Sequence, residues 1–300
     1  MSQSYERIVA RLNNLQTIEP LLGALRTISM GTWQMAQNRL NRLADFQENY
    51  DQILSQIAPR LKKPKQLPAR SEQNDEDHAP ANIVLLIGTE RGLCGKFNEN
   101  LVESTLQWMA NQPIADFTIW AMGSRIVKSL RSQGIEPAWS EPLNANSLGS
   151  YRQAYLTTQR WAQQVENAEI CRLTVLYQKA KGEGRTQFAA VSLFPFDLQL
   201  NGEAKPQAEE LPWPPPIIET DPEGIYQQIK GHFIAATFYR TLLESAIAEH
   251  SARFILMEEA KKNADDIITN LNRDLNIERK RKITREMQEL AIGAGLIDNK

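Results

Sequence analysis

Two long segments, one at each end of the chain, carry hydrophobic patterns with the period of a helix. In residues 4–58 apolar side chains recur at steps of three, four and seven, which is typical of the buried stripe of an amphipathic helix. Pro20 interrupts this pattern, so a kink near Glu19 is expected. Near the other end, the four-three-four spacing of a coiled-coil seam is found at Ala264, Ile268, Leu271 and Leu275. An antiparallel pairing would bury both stripes.

The C-terminal helical pattern is unusually long. From His232 to Ile292 the sequence has neither Gly nor Pro across 61 residues. A helix of that length extends roughly 90 Å, whereas a compact globule of this chain length is about 50 Å across. Either the helix breaks at a place that the sequence does not mark, or the molecule is elongated.

The middle of the chain alternates between strand and helix patterns. Its first strand is the continuous apolar run Ile83–Ile87, which is typical of a buried parallel strand. Further strands are predicted at Phe117–Met122, Cys171–Tyr177 and Gln187–Phe194, and helices at Asn98–Asn111, Arg125–Gln133 and Tyr151–Glu166. This alternation predicts βαβ units and a mostly parallel sheet covered by helices.

The fold class expected is therefore α/β plus long helices, with a Rossmann-like α/β domain inserted into an antiparallel coiled coil. Because 61–80 is polar and 201–222 is acidic and proline-rich, both segments are expected to connect domains. The predicted parts are an N-terminal coiled-coil helix at 1–60, a linker at 61–80, an α/β domain at 81–200, a connector at 201–222 and a C-terminal coiled-coil helix at 223–300.

Composition excludes several classes of protein. The 34 Lys and Arg residues nearly balance 36 Asp and Glu residues, so nucleic acid is not an expected partner. The two cysteines, Cys94 and Cys171, form no CxxC motif, which argues against a disulfide framework and a zinc site. No apolar run approaches the roughly 18 residues that a membrane helix needs, and no secretory signal is present. We expect a soluble protein without metal or cofactor and without direct membrane insertion.

The turn GTERGLCGKFN, which follows the first strand, superficially resembles a phosphate loop. A Walker loop has four residues between its first Gly and its Gly-Lys pair, followed by Ser or Thr. Here six residues separate Gly88 from Gly95, and Phe97 follows Lys96. The dinucleotide pattern GxGxxG is missing as well. A tight structural turn is the better prediction, and Cys94 within it is expected to be a small buried residue rather than a reactive thiol.

No catalytic set is evident elsewhere in the sequence. The three histidines, which lie near no Ser or Cys motif, are His78, His232 and His250. His250 is expected to be a seam or surface residue of the long helix. The chain is therefore not expected to act as an enzyme alone.

A basic run lies near the end of the long helix. Arg279–Lys282 and Arg285 place five basic residues within seven. The run is either a solvated helix face or a cationic band for an acidic partner. The largely apolar residues that follow, up to Ile292, need a surface to bury them, which favours the partner.

The sequence is similar to a known family at these same places. GTERGLCGKFNENL, with Arg91, Gly92, Leu93, Cys94 and Gly95 at its centre, resembles the signature turn of the γ subunit of F-type ATP synthases. EHSARFILMEEAKKNADDIITNLN and RKRKITREMQELAIGAGLI resemble that subunit's C-terminal helix, and LQTIEPLLGAL with MAQNRL is a weaker match to its N-terminal helix. Order and spacing agree over nearly the whole chain.

This resemblance implies a rotor shaft that is not catalytic itself. The two terminal helices would form an antiparallel coiled coil inside a hexamer of α and β subunits. The α/β domain would form a foot that contacts the ε subunit and the ring of c subunits. Proton or sodium flow would turn the ring and the shaft, and the shaft would drive ATP synthesis or hydrolysis at the β subunits. The location implied is peripheral, on the cytoplasmic side of a bacterial plasma membrane, or on a thylakoid membrane in a photosynthetic organism.

The resemblance also implies roles for individual residues. Arg279, Lys280 and Thr284 match positions that meet an acidic catch loop of β, and Leu25 matches a position that faces the same region. Glu219 matches a foot residue near the polar loops of the c ring.

Several positions depart from the family pattern. Lys280 replaces a usual Gln, and Pro20 with Gly23 replaces a Lys-rich stretch. Pro216 and Ile218 stand where many relatives have aromatic residues. These departures suggest a divergent bacterial type from an alternative or sodium-linked synthase. No insertion with a regulatory cysteine pair is evident, so thiol switching is not expected.

Two other classes of protein compete with the rotor. The first is an α/β nucleotide-binding enzyme with a coiled-coil stalk, which would bind a nucleotide at Gly88–Lys96. The second is a self-assembling coiled-coil scaffold, which would form a tight homodimer without α and β subunits.

Overall fold

The structure of the chain is a computed structural model. It describes residues 3–57, 80–113, 116–144, 148–182, 184–196 and 221–293. None of the helices within these ranges is long and apolar enough to cross a membrane. The predicted linker, apart from residue 80, and the predicted connector up to residue 220 lie outside the described residues, as does Glu219.

The chain begins and ends with long helices. Helix α1 spans Gln3–Ile57 and continues through Pro20. The last helix, α5, spans Pro222–Gly293 without interruption. The long C-terminal helix is therefore not broken. Its stretch from His232 to Ile292 contains neither Gly nor Pro, which are the residues that most disfavour a helix interior.

Between these helices, the described residues hold eight elements that follow the predicted alternation. They are β1 (Ala81–Ile87), α2 (Phe97–Ala110), β2 (Thr118–Met122), α3 (Ser124–Ser132), β3 (Trp139–Glu141), α4 (Tyr151–Glu166), β4 (Ile170–Gly182) and β5 (Arg185–Phe194). The strands and helices expected from the sequence are confirmed, with boundary shifts of a few residues. Only β3 was missed, because three residues are too few to show an alternating pattern.

The five strands form one mixed sheet in the order β3-β2-β1-β4-β5. β1 is parallel to both of its neighbours, β2 and β4, and β3 is parallel to β2. β5 is antiparallel to β4, as a hairpin connection requires. The expectation of a mostly parallel sheet is confirmed, and β5 is its one antiparallel strand.

Burial of the central strand on both faces explains its continuous apolar run. Side chains alternate across a strand, so Ile83 and Leu85 of β1 point to one face while Val84 and Leu86 point to the other. The first face packs in a core with residues of α1, α4 and α5, among them Leu43, Trp161 and Phe238. The second face packs in a core with residues of α2 and α3, among them Leu101, Ile126 and Leu130.

By internal contacts the chain divides into two units. The first, Met30–Arg253, contains the sheet, and the second combines Met1–Ser29 with Phe254–Lys300. Within the second unit, Leu12 of α1 packs with Leu271 and Leu275 of α5. Two ion pairs join the same helices further along, from Glu19 to Lys261 and from Arg26 to Glu258. Because rising numbers in α1 pair with falling numbers in α5, the two segments run antiparallel.

Candidate functional site

Two glycines bring the end of β1 close to the start of α3. A Cβ atom on Gly88 would overlap the Cβ atom of Ile126, so no larger residue fits there. Gly123 has a φ of +108°, and a Cβ on it would lie 2.8 Å from the carbonyl oxygen of Thr89. The turn that follows Gly88, called here the signature turn (Thr89–Lys96), starts from this close contact.

Inside the signature turn, Thr89 is tied to the first turn of α2 by Asn98. The Thr89 amide donates to Oδ1 of Asn98 at 3.0 Å, and Nδ2 of Asn98 donates to Oγ1 of Thr89 at 2.9 Å. The Thr89 hydroxyl in turn donates to the Arg91 carbonyl at 2.9 Å. Both side chains are buried, so each hydrogen bond replaces one to water that burial removes.

Glu90 joins the signature turn to α3 and to the segment after β3. Its carboxylate accepts hydrogen bonds from the amide and hydroxyl of Ser124 at 3.0 and 2.5 Å, and from the amide of Leu143 at 2.9 Å. Gly123, the residue that precedes α3, has no side chain to cap this helix, so Glu90 caps it instead. Burial raises the pKa of Glu90, but these hydrogen bonds outweigh burial and hold the pKa below its usual value.

Arg253 of α5 holds the other side of the turn. Its Nε donates to the carbonyl of Gly92 at 3.1 Å, and its Nη2 donates to the carbonyl of Arg91 at 3.2 Å. Nη2 also pairs with Oε1 of Glu249 at 2.5 Å, one helical turn earlier. The Arg253 side chain is only 6% exposed and that of Glu249 only 13%, so the pair is largely hidden from water.

His250 completes the contacts of the Arg253 guanidinium. Its Nδ1 lies 3.3 Å from Nη1 of Arg253. Because arginine is only a donor, Nδ1 must be the acceptor, which assigns the proton of the neutral ring to Nε2. Burial, together with the positive charges of Arg253 and Arg91, lowers the pKa of His250 to about 4. Burial also raises the pKa of Glu249, an effect that Arg253 partly opposes. His250, expected to be a seam or surface residue of the long helix, is half-buried on α5 and contacts Arg253.

The side chain of Leu93 is exposed, whereas that of the next residue, Cys94, is buried. Leu93 has a positive φ of 64° and is 58% exposed. For a residue with a Cβ this conformation costs about 1–2 kcal/mol, so the surrounding contacts must stabilise it. Cys94 is buried, with its sulfur 3.8 Å from Oγ1 of Thr89. Burial raises the pKa of the Cys94 thiol, which fits the expected small buried residue.

The N-terminus of α3, beside the signature turn, does not suit the phosphate of a nucleotide. A phosphate would need the positive end of a helix and open backbone amides. At the N-terminus of α3 these groups already bind the carboxylate of Glu90, which repels an anion. Lys96 is exposed at the start of α2, and among the described residues no group of His, Cys, Asp and Glu could hold a metal ion. The geometry therefore argues against a phosphate at the N-terminus of α3.

The residues expected to contact β belong to the other unit. Leu25 is partly buried on α1, and Arg279, Lys280 and Thr284 are exposed on α5. The hydroxyl of Thr284 donates to the Lys280 carbonyl at 3.0 Å. Arg91, Gly92, Leu93, Cys94 and Gly95 lie together in the signature turn, in the first unit.

The basic run divides into paired and unpaired residues. Arg281 pairs with Glu278 at 3.0 Å, and Lys282 pairs with Glu286 at 3.6 Å. Among the described residues, Arg279, Lys280 and Arg285 have no ion-pair partner. Their charges are therefore available to a surface outside the chain.

No role was expected for Glu90, Asn98, Glu249 or Arg253 from the sequence. All four stand inside the quoted motifs, but only the fold shows that they converge on one turn. A signal for Glu249 and Arg253 exists in their spacing of four, which places them on one face of a helix.

Comparisons with known proteins agree over the whole length of the chain. A family model described as ATP synthase matches residues 4–295. The ATP synthase gamma chain of Cytophaga hutchinsonii is 24% identical, with 99% of each chain covered. That of Bacteroides thetaiotaomicron is 21% identical, with 97% of this chain and 99% of the relative covered.

Solved structures show the same fold. A chain of the Euglena gracilis mitochondrial ATP synthase rotor has a TM-score of 0.60 at 13% identity, over 94% of this chain and 100% of that one. A chain of the Tetrahymena thermophila mitochondrial ATP synthase central stalk and c ring has a TM-score of 0.56 at 17% identity, over 80% and 99%. The protein thus belongs to the gamma-chain family of ATP synthases, whose members are central-stalk subunits.

Proposed function

We propose that this gamma-family chain is the rotor shaft of a rotary ATP synthase. It couples rotation of an ion-driven c ring to ATP synthesis or hydrolysis at the β subunits. Family membership along residues 4–295 is the observation that carries this proposal. The antiparallel packing of α1 and α5 supports the coiled-coil shaft. The α/β domain at 81–200 is the foot, inserted between the N-terminal helix at 1–60 and the C-terminal helix at 223–300.

The exposed end of α5 supports a bearing formed by α and β subunits. Every residue from 279 to 290 is exposed. Ile283, Met287 and Leu290, spaced by four and three, form one apolar stripe on this segment. Such a stripe next to a cationic band fits a partner that is apolar in one place and acidic in another.

Within this proposal, Arg279, Lys280, Thr284 and Leu25 contact an acidic loop of β. Glu219 contacts the c ring at the foot, where the ε subunit also binds. The complex lies on the cytoplasmic side of the bacterial plasma membrane, with this chain as a peripheral subunit. The β contact is supported by Arg279 and Lys280, which are exposed on α5 and have no ion-pair partner within the part of the chain that the structure describes.

Reconstitution tests the rotor role directly. Purified α and β subunits of the same organism are mixed with and without this chain, then analysed by size exclusion and by hydrolysis of magnesium-ATP. We expect one copy per three αβ pairs and a clear rise in hydrolysis. A chain that elutes alone and leaves hydrolysis unchanged would contradict the proposal. A tight homodimer indifferent to α and β would instead support the scaffold alternative.

Charge reversal tests the β contact. The double variant Arg279→Glu, Lys280→Glu should weaken stimulation of hydrolysis, and the loss should shrink as salt rises, because screening weakens exposed charge pairs. The matched control is Arg281→Glu, Lys282→Glu, which makes the same charge change on residues already paired within α5. Equal losses in the two double variants would argue that net charge, not Arg279 and Lys280, is responsible.

A further inference from the structure

Arg253 contacts the signature turn through directed hydrogen bonds and not through packing alone. Its guanidinium donates to two consecutive carbonyls, those of Arg91 and Gly92, and pairs with Glu249 at the same time. In an extended chain the carbonyls of adjacent residues point in opposite directions, so two that meet one group mark a departure from extended backbone. That bend continues into Leu93, whose φ is positive without glycine.

Side chains of the turn itself also contact this bend. The Thr89 hydroxyl bonds to the Arg91 carbonyl within the turn, and the Cys94 thiol lies 4.0 Å from the same oxygen. Arg253 binds both carbonyls of the bend from outside the turn, and it does so from α5. Because Glu249 lies on α5 as well, its pairing with Arg253 holds the guanidinium in the orientation that the two carbonyls need.

We propose that Arg253 is a positioning residue that holds the signature turn against α5, so that the exposed Leu93 side chain keeps one orientation while the shaft rotates. The hydrogen bonds of Arg253 to the carbonyls of Arg91 and Gly92 are called here the lock. The lock involves only residues of this chain, so it does not depend on the proposed rotor function. Its consequence for hydrolysis rests on the proposed rotor function. A lysine at this position would keep the charge but could not donate to both carbonyls in the same fork.

Cys94 is a built-in reporter for the lock, because its buried thiol becomes reactive only when the turn opens. In a Cys171→Ser background, we compare the rate at which a thiol reagent labels Cys94 in the full chain and in Arg253→Met and Arg253→Lys. The control for general destabilisation is Leu243→Ala. Leu243 is buried on α5 and belongs to a different hydrophobic cluster from Cys94.

We expect Arg253→Met to label at least tenfold faster than the parent and Arg253→Lys to lie between them. This increase should be independent of urea at low concentration, since local opening exposes little new surface. Leu243→Ala should speed labelling only as urea rises, through global unfolding. An unchanged rate in Arg253→Met, or an equal urea-independent increase in Leu243→Ala, would overturn the lock.

The same chains are then assembled with α and β subunits. We expect Arg253→Met to join the complex but to stimulate hydrolysis at least fivefold less than the parent, with partial recovery in Arg253→Lys. Full stimulation by assembled Arg253→Met would overturn the role of the lock in the motor. Failure of the parent chain itself to stimulate would count against the rotor function instead, while the labelling rates would still decide whether Arg253 locks the turn.

Discussion

The carboxylate of Glu90 binds both the amide and the hydroxyl of Ser124, the first residue of α3. Through a third hydrogen bond, to the Leu143 amide, the same side chain reaches the segment after β3. A single acid of the signature turn therefore anchors it to two neighbouring segments. Together with Asn98 and Arg253, it connects the turn to α2, α3 and α5.

Replacement of Glu90 by Gln should destabilise the sheet unit by about 1–3 kcal/mol, since the neutral amide loses charge-assisted hydrogen bonds at a helix N-terminus. The measurement is urea unfolding of the full chain followed by circular dichroism. Glu136→Gln is the control, because Glu136 forms an exposed pair with Arg131. Similar losses in the two variants would mean that Glu90 acts as an ordinary surface charge.

Substitution of Gly88 and Gly31 by Ala should change stability in opposite directions. At Gly88 a Cβ overlaps Ile126, and we expect a loss of about 2 kcal/mol or more, as in overpacked cores. At Gly31, inside α1, nothing lies within 4 Å of the added atom. There Ala should stabilise the chain by about 0.5–1 kcal/mol through its higher helix propensity. Thermal unfolding of both variants tests the pair, and a stable Gly88→Ala variant would show that α3 can move away from β1.

Patterns within one segment allowed much of the fold to be predicted from the sequence. The run Ile83–Ile87 indicated a strand buried on both faces, and the spacing of Leu271 and Leu275 indicated a buried seam. The antiparallel direction of β5 did not follow from its own residues, because strand patterns carry no direction. The contacts of Arg253 did not follow either, since they join residues about 160 positions apart through two backbone carbonyls, which have no sequence signal.

The stability of the chain should fall as the pH drops from 6.5 towards 4, in part because of His250. Its pKa of about 4 in the folded protein lies below the ordinary 6.5, so unfolding takes up a proton in this interval. Through this one group, the free energy of unfolding keeps its full value above about pH 6.5 and should be about 2 kcal/mol lower at pH 5.

Urea unfolding from pH 7.5 to pH 5 measures this slope. His250→Gln removes the titrating ring, so its stability should change less with pH than that of the parent chain. Parallel curves for the two proteins would show that other groups account for the whole pH dependence.

A buried hydroxyl–carboxylate contact couples β4 to α5. The hydroxyl of Tyr177 donates to Oε2 of Glu244 at 2.5 Å, and the other carboxylate oxygen lies 3.3 Å from Nζ of Lys179. Burial, with the nearby charge of Glu244, raises the pKa of Tyr177, so the phenol stays protonated and remains a donor. Tyr177→Phe should cost about 1.5–3 kcal/mol, because a buried carboxylate loses a hydrogen bond that water does not replace.

A double-mutant cycle with Glu244→Gln separates this contact from general packing, and we expect a coupling energy of about 1 kcal/mol or more. Tyr239→Phe is the matched control. Like Tyr177, Tyr239 is buried, but it lies on α5, and among the described residues its hydroxyl forms no hydrogen bond. The same deletion there should therefore change the free energy of unfolding by less than about 0.5 kcal/mol. Additive effects of Tyr177→Phe and Glu244→Gln would show that the short contact contributes no more to stability than the separate burial of its two partners.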